Sequence, residues 1–216
     1  MEQKLVSDFS FKTIFTDKVV IIWILAYFCI QFFWQLNITH KSIMANFEKF
    51  DAFIEIPTGS RNKYEFDFEL KKMRFDRLLF SSMMYPADYG FIPETLALDN
   101  DPLDVLVLVT EPMIPGLIVE VKPVGVFYMS DDKGQDEKII CVPTGDPIMN
   151  KLNDLKDVNE HKLLEIEHFF QVYKDLEKKK VETNGFGDKA AAIALIEECQ
   201  ARFNALDAEK QASFAI

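Results

Sequence analysis

Three aspartates stand within six residues, Asp99-Asn100-Asp101-Pro102-Leu103-Asp104, and the chain then runs straight into an uncharged apolar stretch at 105–109. A continuous apolar run of that length reads as a strand buried on both faces. Like charges held close repel and raise one another's pKa, so a buried strand that starts beside three of them implies a cation to neutralise them. Taken alone, the cluster is equally compatible with an acidic turn in which the aspartates cap local backbone. A calcium loop of the EF-hand type is excluded, because its relative positions 5, 6 and 12 are Leu103, Asp104 and Thr110 here. Oxygen donors alone point to a hard cation, and magnesium, which needs few carboxylates and keeps its waters, is favoured.

The patterning around this segment places strands first and helices last. Residues 50–56 and 63–69 alternate, with Tyr64, Phe66 and Phe68 on one face, and the turn chemistry of Pro57-Thr58-Gly59-Ser60-Arg61-Asn62 between them predicts a hairpin. Further strands are expected at 105–109, 117–129 and 138–142. After Asn159 the period changes, since Leu163, Leu164, Ile166, Phe169, Phe170, Tyr173 and Leu176 recur at three and four. A second helix is expected from Asp188, a plausible N-cap. The order implies an α+β domain with a mainly β core, and the number of short strands permits a small closed barrel.

Composition bounds the function. The chain has 216 residues, with 24 Lys and Arg against 35 Asp and Glu, a net charge of −11. That is a poor footprint for holding nucleic-acid phosphate, so no nucleic-acid partner is expected. Cys29, Cys141 and Cys199 lie far apart, which suggests neither a disulfide framework nor a zinc site. Residues 1–43 differ from the rest, because residues 19–36 carry no charge over eighteen positions. This hydrophobic leader reads either as a mis-assigned start upstream of Met44, the preferred reading, or as a signal anchor, with a packed helix the third option. A membrane partner is expected only if residues 19–36 are a true anchor. Residues 44–216 hold 20 positive and 32 negative side chains, so the acidity belongs to that domain.

A second acidic group occupies 131–138, from Asp131 through Asp136 to Lys138, between two expected strands. Alone it reads as a solvated hairpin tip. Two acidic loops at strand ends, together with Lys63, Arg77, Lys138 and Lys174 as candidate anion-binding cations, instead suggest a site for a polyanionic phosphate held by metal and fixed charge. No G-x-S-x-G, Walker loop or H-E-x-x-H is present, and Gly185-Phe186-Gly187-Asp188-Lys189-Ala190 lacks a preceding buried strand that would make it a dinucleotide fingerprint. Without a side-chain nucleophile, the economical chemistry is attack by a water activated by metal ions, with a carboxylate taking its proton.

At this point the residues resemble the soluble family I inorganic pyrophosphatases of bacterial type. The resemblance rests on D-N-D-P-L-D-V at 99–105, with E-I-P at 55–57, K-Y-E at 63–65, F-D-R at 75–77 and Y-P-A-D-Y-G at 85–90 before it. P-V-G-V at 123–126, D-D-K-G-Q-D-E-K at 131–138 and Y-K-D-L-E at 173–177 follow, so nearly all of 44–216 is covered. It implies a distorted five-stranded OB-like closed barrel with flanking C-terminal helices, hydrolysing inorganic diphosphate to two phosphates with several Mg2+ ions per site. It also implies that Asp99, Asp104 and Asp136 hold the tightest ion, with Asp104 bridging to a second, while Asp131 and Glu65 serve ions arriving with substrate. Asp101 would be the general base, and Lys63, Arg77, Tyr89, Lys138, Tyr173 and Lys174 would grip the phosphates, supported by Glu55 and Tyr85. A cytoplasmic homohexamer that removes pyrophosphate from biosynthetic reactions is the expectation that goes with it.

Three rivals remain at this level: a metal-dependent hydrolase of nucleoside triphosphates or polyphosphate, a non-catalytic OB-type binding module, and an anchored acidic protein that stores a cation. The second would need a basic aromatic groove. The third predicts metal binding without turnover.

Overall fold

The computed structural model describes residues 47–132 and 134–216. The leader at 1–43, its alternative start at Met44 and the span at 19–36 lie outside the described residues. Among those described, no helix is long and apolar enough to cross a membrane.

Among the described residues nine strands and three helices follow one another as β1 (Phe50–Ile56), β2 (Asn62–Asp67), β3 (Lys72–Leu78), β4 (Asp88–Phe91), β5 (Asp104–Val107), β6 (Ile118–Asp131), β7 (Gly134–Gln135), β8 (Lys138–Pro143), α1 (Glu160–Val172), β9 (Glu182–Gly187), α2 (Lys189–Asn204) and α3 (Ala208–Ser213). Short 3-10 turns punctuate the second half at Met149–Lys151, Leu155–Asp157 and Asp175–Glu177. Strands β1, β4, β5, β8 and β6 are hydrogen-bonded in that order, and β6 returns to β1, so five strands close a ring. This is the expected closed barrel, and closure removes the free edges that an open sheet of this size would expose. The 14-residue β6 does most of the joining, pairing with β1, β7, β8 and β9.

Alternation sorts the barrel's apolar residues into two buried sets. Leu106, Leu108, Ile140 and Val142 pack in one cluster with Phe169 and Phe170 of α1. Val105, Val107, Ile139 and Cys141 pack in the other with Ala192, Ile193 and Ile196 of α2. Residues 105–109 therefore read as unbroken apolar sequence because a helix covers each face. The second helix begins at its expected cap, with Asp188 accepting from Ala191 N, and α1 begins where the period changes, with Asn159 accepting from His161 N, each at 2.9 Å. Gly90 in β4 answers to a different constraint, since a Cβ there would lie 1.8 Å from the Phe53 carbonyl oxygen. The β1 and β4 backbones approach too closely for any side chain.

The expected hairpin of residues 50–56 with 63–69 does not form. β1 pairs with β4 and β6, while β2 pairs with β3 in a separate two-stranded sheet. Burial explains the difference, because residues 52–56 of β1 are buried without interruption and need neighbours on both edges, whereas β2 is half-exposed and is satisfied locally. β9 is also unexpected. Its residues are exposed or half-buried and include two glycines, so it carries no apolar signature, yet it pairs with β6 from Val126↔Gly187 to Ser130↔Glu182.

Candidate active site

The barrel's parallel pair sets the centre of the site. β5 and β8 run side by side with Asp104 opposite Lys138, so the first residue of each strand brings opposite charges to one mouth of the ring. Lys138 is enclosed, at 1% exposure, and its ammonium donates to Asp104 Oδ2 at 2.6 Å and Asp136 Oδ1 at 2.7 Å. It also lies over the rings of Tyr89 and Phe170, 5.4 and 5.5 Å from their centroids. Burial would lower its pKa, but the two carboxylates outweigh burial and raise it, so the charge is retained.

β4 pairs with β5 and delivers Tyr89, whose hydroxyl donates to the same Asp104 Oδ2. The loop before β5 is folded on itself, with Ala97 N bonded to Asp101 O at 2.8 Å and Asp101 N to Asp99 Oδ1 at 3.1 Å. Asn100 takes φ +72, a left-handed conformation that asparagine tolerates better than most residues, which accounts for Asn between the two aspartates. The second acidic loop is not a solvated tip at Asp131, whose side chain is 5% exposed and accepts from Lys174 Nζ at 2.8 Å. Lys174 follows the end of α1 and lies 5.1 Å from the Tyr173 ring centroid.

The β2–β3 sheet forms the facing wall. Lys63 sits opposite Arg77 in its register, and its ammonium bonds Glu65 Oε1 and lies 3.4 Å from Asp76. Burial would lower the Lys63 pKa, but Glu65 outweighs it and the net shift is upward. Glu55, buried at the end of β1, accepts from Phe66 N at 2.7 Å and so links the barrel to this sheet.

Twelve of the fourteen expected site residues line one cleft of about 480 Å³: Glu55, Lys63, Glu65, Arg77, Tyr89, Asp99, Asp101, Asp104, Asp131, Asp136, Tyr173 and Lys174. Lys138 lies behind its carboxylates. Tyr85 does not line the cleft; it is buried against Tyr89 and Phe169, with ring centroids 5.4 and 4.9 Å away, and supports Tyr89 from behind. Asp76, Lys179, Phe66, Phe68 and Phe91 line the cleft too, although the residue pattern alone assigns them no role. Asp76 adjoins Arg77 in the F-D-R motif, which is a usable signal, whereas the phenylalanines read as core. Asp88 is a further residue without an expected role. It is fully buried outside the cleft and accepts from Thr58 N at 2.7 Å, Thr58 Oγ1 at 2.8 Å and Met113 N at 2.8 Å, tying two loops to β4.

Eight carboxyl groups and four cationic side chains line the cleft, with no histidine or cysteine among them. Burial raises Glu55 to about 8. Burial also raises Asp104, with Lys138 lowering it and Asp136 raising it again, to about 6. Such a site is short of positive charge and offers only hard oxygen donors, which is the chemistry that suits magnesium. Among the described residues no three carboxyl, thiol or imidazole groups already converge as a formed metal site. Instead Lys138 bonds both Asp104 and Asp136, and Lys174 bonds Asp131.

A family model described as inorganic pyrophosphatase matches residues 52–204. The chain belongs to the inorganic pyrophosphatases. An inorganic pyrophosphatase of Methanosarcina mazei is 55% identical over 150 residues, covering 69% of this chain and 89% of that one. One from Halalkalibacterium halodurans is 54% identical over 153 residues, covering 71% and 94%. The crystal structure of the Thermus thermophilus inorganic pyrophosphatase superposes with a TM-score of 0.71 at 46% identity, over 73% of this chain and 92% of that chain. Family membership places the chain among the soluble family I pyrophosphatases and makes it an enzyme of the diphosphatase class.

Proposed function

We propose that residues 44–216 form a catalytic domain that hydrolyses inorganic diphosphate to two phosphates with magnesium. The observation that carries this reading is the cleft itself: eight carboxyl groups facing fixed cations on two walls, with a tyrosine–aspartate–lysine cluster at the barrel mouth. In this reading Asp99, Asp104, Asp136, Asp131 and Glu65 would hold the magnesium ions. Bound magnesium supplies neutralisation of the substrate's charge and lowers the pKa of a water.

The protein's own residues do the remainder. Lys63 and Arg77 on one wall, with Tyr173 and Lys174 on the other, hold the two phosphate groups apart and oriented, and Tyr89 and Lys138 act from the barrel mouth. Asp101, on a loop braced by its own backbone, takes the proton from the attacking water. Glu55 and Tyr85 keep the walls in place. Lys138 holds the charge of Asp104 and Asp136 in the absence of other cations. The same reading places the enzyme in the cytoplasm as a homohexamer, where removing pyrophosphate draws biosynthetic reactions forward.

The test is phosphate release from pyrophosphate by the full chain, with magnesium and with a chelator. Chelator-sensitive release, and a strong preference for pyrophosphate over nucleoside triphosphates and polyphosphate, is expected. Magnesium binding by a folded chain that releases no phosphate would overturn the reading in favour of cation storage. A single species of one-chain mass at micromolar concentration would remove the hexamer.

A further inference from the structure

Glu177 does not line the cleft, yet it holds two cations that do. Its Oε1 accepts from Arg77 Nε at 3.1 Å, and its Oε2 is 4.0 Å from Lys179 Nζ. The residues come from distant parts of the chain: Arg77 from the sheet β2–β3, whose strands pair with no barrel strand, and Glu177 from the 3-10 turn after α1. The Glu177 side chain is 8% exposed and that of Arg77 24%, so the pair is partly withdrawn from solvent. A charge-assisted bond is stronger there than at the open surface.

Two details give the pair a direction. The turn that carries Glu177 is closed by Glu177 N to Lys174 O at 2.9 Å and Lys178 N to Asp175 O at 3.0 Å, and it ends in the left-handed Lys178 at φ +58. Lys174 and Glu177 are therefore parts of one small rigid unit, and whatever Glu177 grips is set at a fixed span from Lys174. Arg77 presents five donors in a planar fork. Glu177 takes Nε and Asp76 takes one terminal nitrogen, which fixes the plane of the guanidinium.

We propose that Glu177 is a positioning residue that fixes the Arg77 guanidinium, and with it the β2–β3 sheet, at a set distance from Lys174, so that the two walls are spaced for the two ends of a diphosphate before it binds. This rests on the reading that Arg77 contacts substrate phosphate. Glu177 itself touches no substrate.

The experiment is a double-mutant cycle of Glu177→Ala and Arg77→Ala in the full chain with magnesium. It is read as KM and kcat for pyrophosphate and, independently of turnover, as the calorimetric Kd for the non-hydrolysed analogue imidodiphosphate. Glu177→Ala is expected to raise KM and Kd roughly tenfold, the scale of one charge-assisted bond, with kcat within about threefold. Glu177→Gln, which still accepts the bond, is expected to recover most of that loss. In the Arg77→Ala background Glu177→Ala should change both by less than about twofold, because the group it positions is gone. Additive losses, or a lowered melting temperature with unchanged KM and Kd, would overturn the proposal. Wild-type chain that binds imidodiphosphate but releases no phosphate would overturn the functional reading and leave the coupling measurable. Wild-type chain that does neither would overturn both.

Discussion

The two walls of the cleft are built on opposite principles. The barrel mouth carries Asp104 and Lys138 on strands whose following residues are fully buried, in a parallel register that leaves neither strand free to slide. The facing sheet carries Lys63, Glu65 and Arg77 on strands with no buried residue at all, and β3 is mostly exposed. One wall draws its precision from the core, the other from individual tethers: Glu55 to Phe66 N, Glu177 to Arg77, and Phe214 edge-on to Phe68 with centroids 5.7 Å apart. Charge follows the same division. Asp104 and Asp136, bound to the enclosed Lys138, sit at the barrel, and the cations that line the cleft, Lys63, Arg77, Lys174 and Lys179, sit on the tethered sheet and beyond the end of α1. The lesson is that one cleft can combine a wall held by the buried core with a wall held by a few separate side-chain contacts.

Several changes would break or sharpen this contrast. The largest effect is expected from Asp101→Asn, at the barrel side, which should lower kcat by about 10² to 10⁴ if it takes the water's proton, with melting temperature unchanged. Near-normal turnover across pH would remove Asp101 from that role. Next comes Lys138→Met, which leaves the half-buried Asp104 and Asp136 without the enclosed cation they share and should cost about 3–5 kcal/mol in urea unfolding. Lys63→Met on the tethered sheet should instead cost less than about 1 kcal/mol while raising KM; equal losses of stability from the two would erase the contrast.

Smaller again, Phe214→Ala removes one aromatic contact, worth about 0.5–1.5 kcal/mol. It should speed amide exchange at the turn between β2 and β3 and leave exchange in β5 and β8 unchanged. Faster exchange in both walls would mean that the sheet is part of the core after all.

The smallest effect belongs to a barrel rim remote from the cleft. Asp146 accepts from Ile148 N at 2.8 Å and Met149 N at 3.0 Å through one oxygen and from Thr110 N at 3.0 Å through the other. These bonds, led by that from Met149, hold its pKa down at about 2. Because the folded value lies below the unfolded one near 4, the stability it contributes is present above about pH 4 and lost as pH falls towards 2. Asp146→Asn should therefore narrow its stability gap from wild type over that window, with KM unchanged at neutral pH.

How much of this was legible depended on where the signal lay. Asp99, Asp101 and Asp104 announce themselves, because three like charges before an apolar strand have no cheap structural explanation. The two helices were legible, α1 from its period and α2 from its cap. The residues permit a closed ring without dictating it, since closure depends on β1 finding β6 across some seventy positions. Tyr89 reads as core until β4 is laid beside β5, when its hydroxyl meets Asp104. The misread hairpin has the same cause: alternation marks a strand without naming its partner. Glu177 closes the Y-K-D-L-E motif, but its meaning lies a hundred residues away in Arg77.

The cage around Lys138 also governs its reactivity. Its amine is walled off by two rings and two carboxylates and keeps its proton, so it has neither the access nor the free lone pair that acylating reagents require. In the folded chain it should stay unlabelled while exposed lysines react, and its appearance in a peptide map would report that the barrel mouth has opened.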